Sequence, residues 1–271
     1  MIKGKELTKI ILTVYAFIAI VFSIIYIIKI FILKYNNLYL TTMTNYGIQL
    51  LMLVLALYLL NKFNYIKYVK FTLKSFFELV AYTMLLIILI IVLSNAFHIG
   101  HYFVWNTGSS MTILFQNFYF VLVALEEEYL FRVVLYYKVL ETIVLKNKAL
   151  KVIIAILLTN AIFSMSHFPI TYLVHHGNMN ITYFLNVFIS GIIASYLYLR
   201  TGNIYIASAM HFIGDARIIE LYPYNRLPIY VYFIDNMMVI SVIIIEIYNI
   251  CKYFYNKNLR KRKFQFKIIK T

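Results

Sequence analysis

Eight long apolar runs leave this chain few ways to fold. Their cores fall at 10–33, 45–61, 78–97, 112–138, 150–172, 181–199, 203–219 and 228–249. A helix needs roughly 20 residues to cross the hydrocarbon of a bilayer. Most runs meet that length, and 45–61 and 203–219 are marginal. In lipid every backbone N–H and C=O must find a partner within its own segment, which selects helices. The expected fold is therefore all-α. It is a polytopic membrane protein of about eight transmembrane helices, in a single membrane domain over 1–271. Composition agrees: 63% of residues are hydrophobic and only 13% are charged, about half the charged share of a soluble domain. A larger buried core cannot supply the difference, because the buried fraction grows slowly with chain length.

The first run follows Lys3, Lys5 and Lys9 and is uncharged from Ile10 to Ile28. It is too long for a signal-peptide core and no small-residue cleavage site follows, so it reads as a retained first helix. The net charge of +15 raises nucleic acid as a partner, but most basic residues sit in short connections, with Arg217 and Arg226 a mild break in the pattern after the seventh run. Lys62, Lys67, Lys70 and Lys74 lie in one, and Lys138, Lys146, Lys148 and Lys151 in another. Arg200 marks a third, and 250–271 is a basic tail containing Arg260, Lys261, Arg262 and Lys263. The alternate connections 35–43, 98–111 and 168–180 have no Lys or Arg. Basic residues gather on the cytoplasmic side of membrane proteins. Both termini are thus expected in the cytoplasm of a multi-pass cell-membrane protein, with the bilayer and no nucleic acid as partner. The single cysteine, Cys251, rules out a disulfide framework or a cysteine metal cluster.

Only ten residues are acidic, and three are consecutive: Glu126, Glu127 and Glu128, inside the run 112–138. One carboxylate at a helix centre costs about 2.5–3.5 kcal/mol on insertion scales, so these side chains and Arg132 require a polar interior or a water-filled cavity. Glu128 and Arg132 are four apart, share a helix face and stand in the favourable acid-before-base order. Glu127 lies about 100° around the helix and is left without a local cation. A desolvated carboxylate of that kind can act as a general base near neutral pH. Glu126 points elsewhere and reads as a bystander near the interface.

Two more polar positions interrupt apolar runs. Phe163 and His167 are four apart near the end of one, and His211 and Asp215 are four apart in another, so each pair shares a face. A lone membrane histidine is often only an interhelical hydrogen bond. Two histidines, an aspartate and a glutamate pair on three helices point instead to one site, carried by the helices of 112–219. The other histidines, His98, His101, His175 and His176, fall in expected outer loops.

These residues resemble the CPBP family, the CAAX protease and bacteriocin-processing or Abi proteins. The motifs EExxxR, FxxxH and HxxxN or HxxxD read here as Glu127-Glu128-x-x-x-Arg132, Phe163-x-x-x-His167 and His211-x-x-x-Asp215. The resemblance implies an intramembrane endopeptidase acting on a membrane-associated peptide or protein. It implies that Glu127 and His167 activate a water, that His211 and Asp215 stabilise the oxyanion, and that Arg132 holds Glu128. Eukaryotic relatives usually carry Asn where this chain has Asp215. An ionised Asp only accepts hydrogen bonds, so Asp215 can instead orient His211, as carboxylates orient catalytic histidines.

Cofactor use stays open at this point. Glu127, His167 and His211 are a chemically suitable set for zinc or another divalent metal, yet no HExxH helix announces one, and the balance tilts toward no cofactor. Two other functions fit the same residues. One is a non-proteolytic scaffold or a bacteriocin-immunity or regulatory protein. The other is a transporter using Glu127 and His167 as a proton relay.

Overall fold

The computed structural model describes residues 38–69, 72–96, 103–105, 110–168, 181–215, 219–221, 242–247 and 249. The run 10–33, most of the run 228–249, the four loop histidines and the tail 250–271 lie outside the described residues.

The described chain is nearly all helical. Helix α1 spans Leu38–Lys62, a 3-10 turn spans Ile66–Tyr68, and α2 spans Leu73–Ala96. The run expected at 112–138 is helical without a break from Ser110 to Thr142, but not uniformly so. It is α-helical over Ser110–Glu127 (α3), π-helical over Glu128–Leu135, and α-helical again over Tyr136–Thr142 (α4). Then come α5 (Lys148–Ser166), α6 (Ile181–Thr201) and α7 (Ile204–Asp215). Residues 242–247 are also helical.

Two features depart from the all-α expectation. Short strands β1 (Phe103–Trp105) and β2 (Ile219–Leu221) pair antiparallel, with Val104 opposite Glu220. Correspondingly, α7 runs only to Asp215, short of the expected boundary at 219. At about 1.5 Å per residue its 12 residues do not reach across a hydrocarbon core of about 30 Å. Among the described residues, α1, α5 and α6 are long and apolar enough to span.

Caps fix where these helices stop. Asn64 adopts φ 60° after α1. The Tyr65 N–H donates to the Leu60 carbonyl and the Asn64 N–H to that of Asn61, a Schellman closure. Asn147 caps α5 by accepting from the Leu150 N–H. Gly202, at φ +67°, ends α6 with its N–H on the Tyr198 carbonyl. Asn203 then caps α7 by accepting from the Tyr205 N–H, while its side-chain NH2 donates to Glu78 of α2 at 2.5 Å. The α6–α7 turn is thereby tied to α2.

Packing centres on the π-helix and α5, α6 and α7. Small residues Ala155, Ala194 and Ala207 are fully or almost fully buried, which lets the backbones approach closely. The outward faces are strongly apolar, including Leu51, Val54 and Tyr58 on α1 and Phe77, Met84, Ile88 and Val92 on α2. A soluble monomer rarely exposes continuous apolar surface of this kind; lipid accommodates it.

Candidate active site

The three carboxylates sit where the helix changes its winding. Glu127 is the last residue of α3 and Glu128 the first of the π-helix. Such i→i+5 segments are rare and recur at functional sites. Glu128 is wholly buried, and its Oε2 lies 3.3 Å from the Nε of Arg132, which is 2% exposed. The guanidinium lies over the ring of Phe163 at 4.2 Å, a cation–π contact in a dry setting. Glu126 is 4% exposed, so it is an interior group and not a side chain at the interface.

His211 of α7 collects the acids. Its Nδ1 is 3.0 Å from Glu128 Oε1. Its Nε2 is 3.5 Å from Glu127 Oε2 and 3.3 Å from Asp215 Oδ2. Both ring nitrogens donate when the imidazole is doubly protonated. Glu127 therefore does not stand alone, as the spacing of charges in the sequence had it; its partner comes from another helix. Along this cluster exposure rises from Glu128 (0%) through His211 (12%) and Glu127 (20%) to Asp215 (38%).

Phe163 joins the second histidine to this group. His167 follows α5 directly, and its ring packs edge-on against Phe163 at 4.9 Å. Phe163 also meets His211 edge-on at 6.1 Å and Phe131 at 4.9 Å. His167 Nδ1 is 3.0 Å from the Phe163 carbonyl. A carbonyl only accepts, so Nδ1 donates and Nε2 is the acceptor nitrogen of the neutral ring.

A cavity of about 240 Å³ brings most of these residues to one space; Glu127 is not part of its wall and adjoins it through His211. Its wall includes Glu128, Arg132, Phe163, His167, His211 and Asp215. Helix α6 closes the other side with Asn186, Ser190 and Gly191, residues that sequence reasoning passed over. The signal was their spacing, at i, i+4 and i+5 on one face of an apolar helix, without a charge to draw attention. Gly191 admits no side chain, because a Cβ there would lie 2.4 Å from Asn160 Oδ1 and 3.2 Å from Phe163 Cδ1.

Zinc would need three or four of these donors aimed at one point. Among the described residues no three His, Cys, Asp or Glu side chains are so placed. His167, held through Nδ1, keeps Nε2 as its accepting nitrogen, and each nitrogen of His211 faces a carboxylate.

Residues 109–217 match the family model described as Type II CAAX prenyl endopeptidase Rce1-like. The matched segment contains all three motifs, and the family resemblance read from them holds. No curated protein and no solved structure matches the chain. The match is to a protease family, and the long apolar helices are those of a membrane protein.

Proposed function

We propose that this chain, which is Rce1-like over residues 109–217, is an intramembrane endopeptidase that hydrolyses a peptide bond with a water activated by Glu127 and His167. The observation that carries this reading is the convergence of Glu127, Glu128 and Asp215 on the two nitrogens of His211, beside a cavity that His167 also lines.

Glu127 is the part-exposed carboxylate and takes a proton from water; His167 offers Nε2 to the same end. The water oxygen attacks the carbonyl carbon, the C–N bond breaks, and the proton held by Glu127 passes to the leaving nitrogen. Glu128, fixed by Arg132, holds His211 through Nδ1, and Nε2 faces the developing negative oxygen. Without substrate, Asp215 accepts from the same Nε2–H, 3.3 Å away, and keeps that ring oriented until the substrate oxygen replaces it. No metal takes part in this scheme. Eight spans, a single membrane domain, cytoplasmic termini and a basic cytoplasmic tail complete the reading. Prenylated CAAX proteins, peptide pheromones and bacteriocin leaders are all compatible substrates.

The test compares membrane peptides from cells expressing the wild-type chain with those expressing Glu127→Gln. Uncleaved substrate should accumulate only with the variant, at equal protein levels. Identical peptide profiles would return the chain to the scaffold or immunity reading.

A further inference from the structure

Next to Asp215 the cavity has a wall, on α6, that the hydrolytic scheme does not use. Asp215 is the most exposed carboxylate of the cluster, at 38%, and its contact with His211 is through Oδ2. Across the same cavity, α6 presents Asn186 and Ser190, four apart and therefore on one face. Among the described residues neither α6 side chain has a hydrogen bond that occupies it. The three groups are a carboxylate, an amide and a hydroxyl, each able to accept.

Charge gives the preference its sign. Arg132 is paired with Glu128, so it leaves that carboxylate balanced. His211 faces Glu127, Glu128 and Asp215 together, and a single imidazolium cannot balance all of them. An incoming anion would meet this surplus of acid, whereas an incoming cation would relieve it. An ammonium group has three donors and no acceptor, which suits three acceptors spread over two helices.

We propose that Asp215, Ser190 and Asn186 form a subsite for a primary ammonium group, so that the cavity selects peptides carrying a positive charge close to the bond to be cleaved. This rests on the peptidase reading for its purpose but not for its test. The ammonium has two possible sources, a lysine side chain of the substrate or the α-amine released by cleavage. Asp215 serves both His211 and the ligand, one through Oδ2 and the other through Oδ1.

Binding to the full chain in lipid nanodiscs tests this without any cleavage. The probes are three dansyl tetrapeptides with amidated C-termini. One is N-capped with a single lysine, one is the same peptide with Nε-acetyl-lysine, and one is lysine-free with a free α-amine. The dansyl group sits on a side chain in all three. The lysine peptide should bind saturably and at least about fivefold more tightly than its acetylated twin, in keeping with a hydrogen bond to a charged group. Asp215→Asn should remove that difference and Asp215→Glu should restore part of it; Ser190→Ala should weaken the lysine peptide about twofold to fivefold. Tight binding of the free α-amine alone assigns the subsite to the product. Equal binding of all three peptides, no saturable binding, or an undiminished preference in Asp215→Asn overturns the proposal. None of these outcomes bears on whether Glu127→Gln stops cleavage.

Discussion

His211 Nδ1 lies 3.0 Å from Glu128 Oε1, and these two residues, on different helices, are 83 positions apart in sequence. The contact docks α7 against the π-helix at its first residue. It also connects the buried Glu128–Arg132 pair to the exposed end of the site at Asp215.

Arg132 is the only described cation within reach of Glu128 apart from His211. Arg132→Met should strand a buried carboxylate and lower stability by about 3–5 kcal/mol, the usual result of removing one partner of a buried pair. Adding Glu128→Gln in the same chain should recover much of that loss. Thermal unfolding of the purified proteins in one detergent checks both, and equal stability of the single variant and the wild type would show that the pair is not buried as described.

Gly191 faces Asn160, whose Nδ2 donates to Ser195 Oγ at 2.9 Å and to the Ile156 carbonyl at 2.8 Å. The amide is thus held in place where a Cβ on residue 191 would collide with it. Gly191→Ala should destabilise by about 1–3 kcal/mol, as overpacking does. Asn160→Ala in the same chain should remove the collision and show a smaller combined loss than the two single variants added together. Strict additivity in a double-mutant cycle would argue against this contact.

Phe163 touches Arg132, His167, His211 and Phe131 with one ring. Phe163→Leu keeps most of the apolar bulk but loses the ring's interaction with the guanidinium and the imidazole edges. The loss should be about 1–2 kcal/mol in stability. Histidine-selective NMR should show the signals of both imidazoles shifted in Phe163→Leu and largely retained in Phe163→Tyr. Unchanged imidazole signals in the leucine variant would place the rings elsewhere.

Gly202 ends α6 with positive φ, a conformation that side chains with a Cβ adopt only at a cost. Gly202→Ala should destabilise by about 1 kcal/mol, and Gly202→Asn by less, because Asn tolerates that region. The same thermal measurement decides between them; an alanine variant as stable as wild type would contradict the cap.

Much of the site was legible because its residues violate the local environment. A carboxylate, a guanidinium or an imidazole inside an apolar run is conspicuous, and a spacing of four places Glu128 with Arg132 and His211 with Asp215 on shared faces. Contacts between helices were not legible. The partner of Glu127 is His211, and periodicity along one helix carries no information about what packs against it. The π-helix escaped for a related reason, since an eight-residue stretch beginning at Glu128 is too short for a changed winding to show in hydrophobic spacing. Asn186, Ser190 and Gly191 are neutral and small, so the polar side of α6 emerged only from packing. The end of α7 was misjudged because Ile218 and Ile219 read as helical by hydropathy, although 219–221 form a strand with 103–105.

Hydrolysis leaves an isotopic record in every product, whatever the substrate. The purified full chain in nanodiscs would be incubated with a pool of membrane-derived peptides in water enriched in oxygen-18, followed by mass spectrometry of new C-termini. Each new carboxyl group should carry one oxygen-18 atom with the wild-type chain, and such termini should be absent with Glu127→Gln folded to equal stability. New termini produced equally by Glu127→Gln, or by neither protein, would contradict water activation by Glu127.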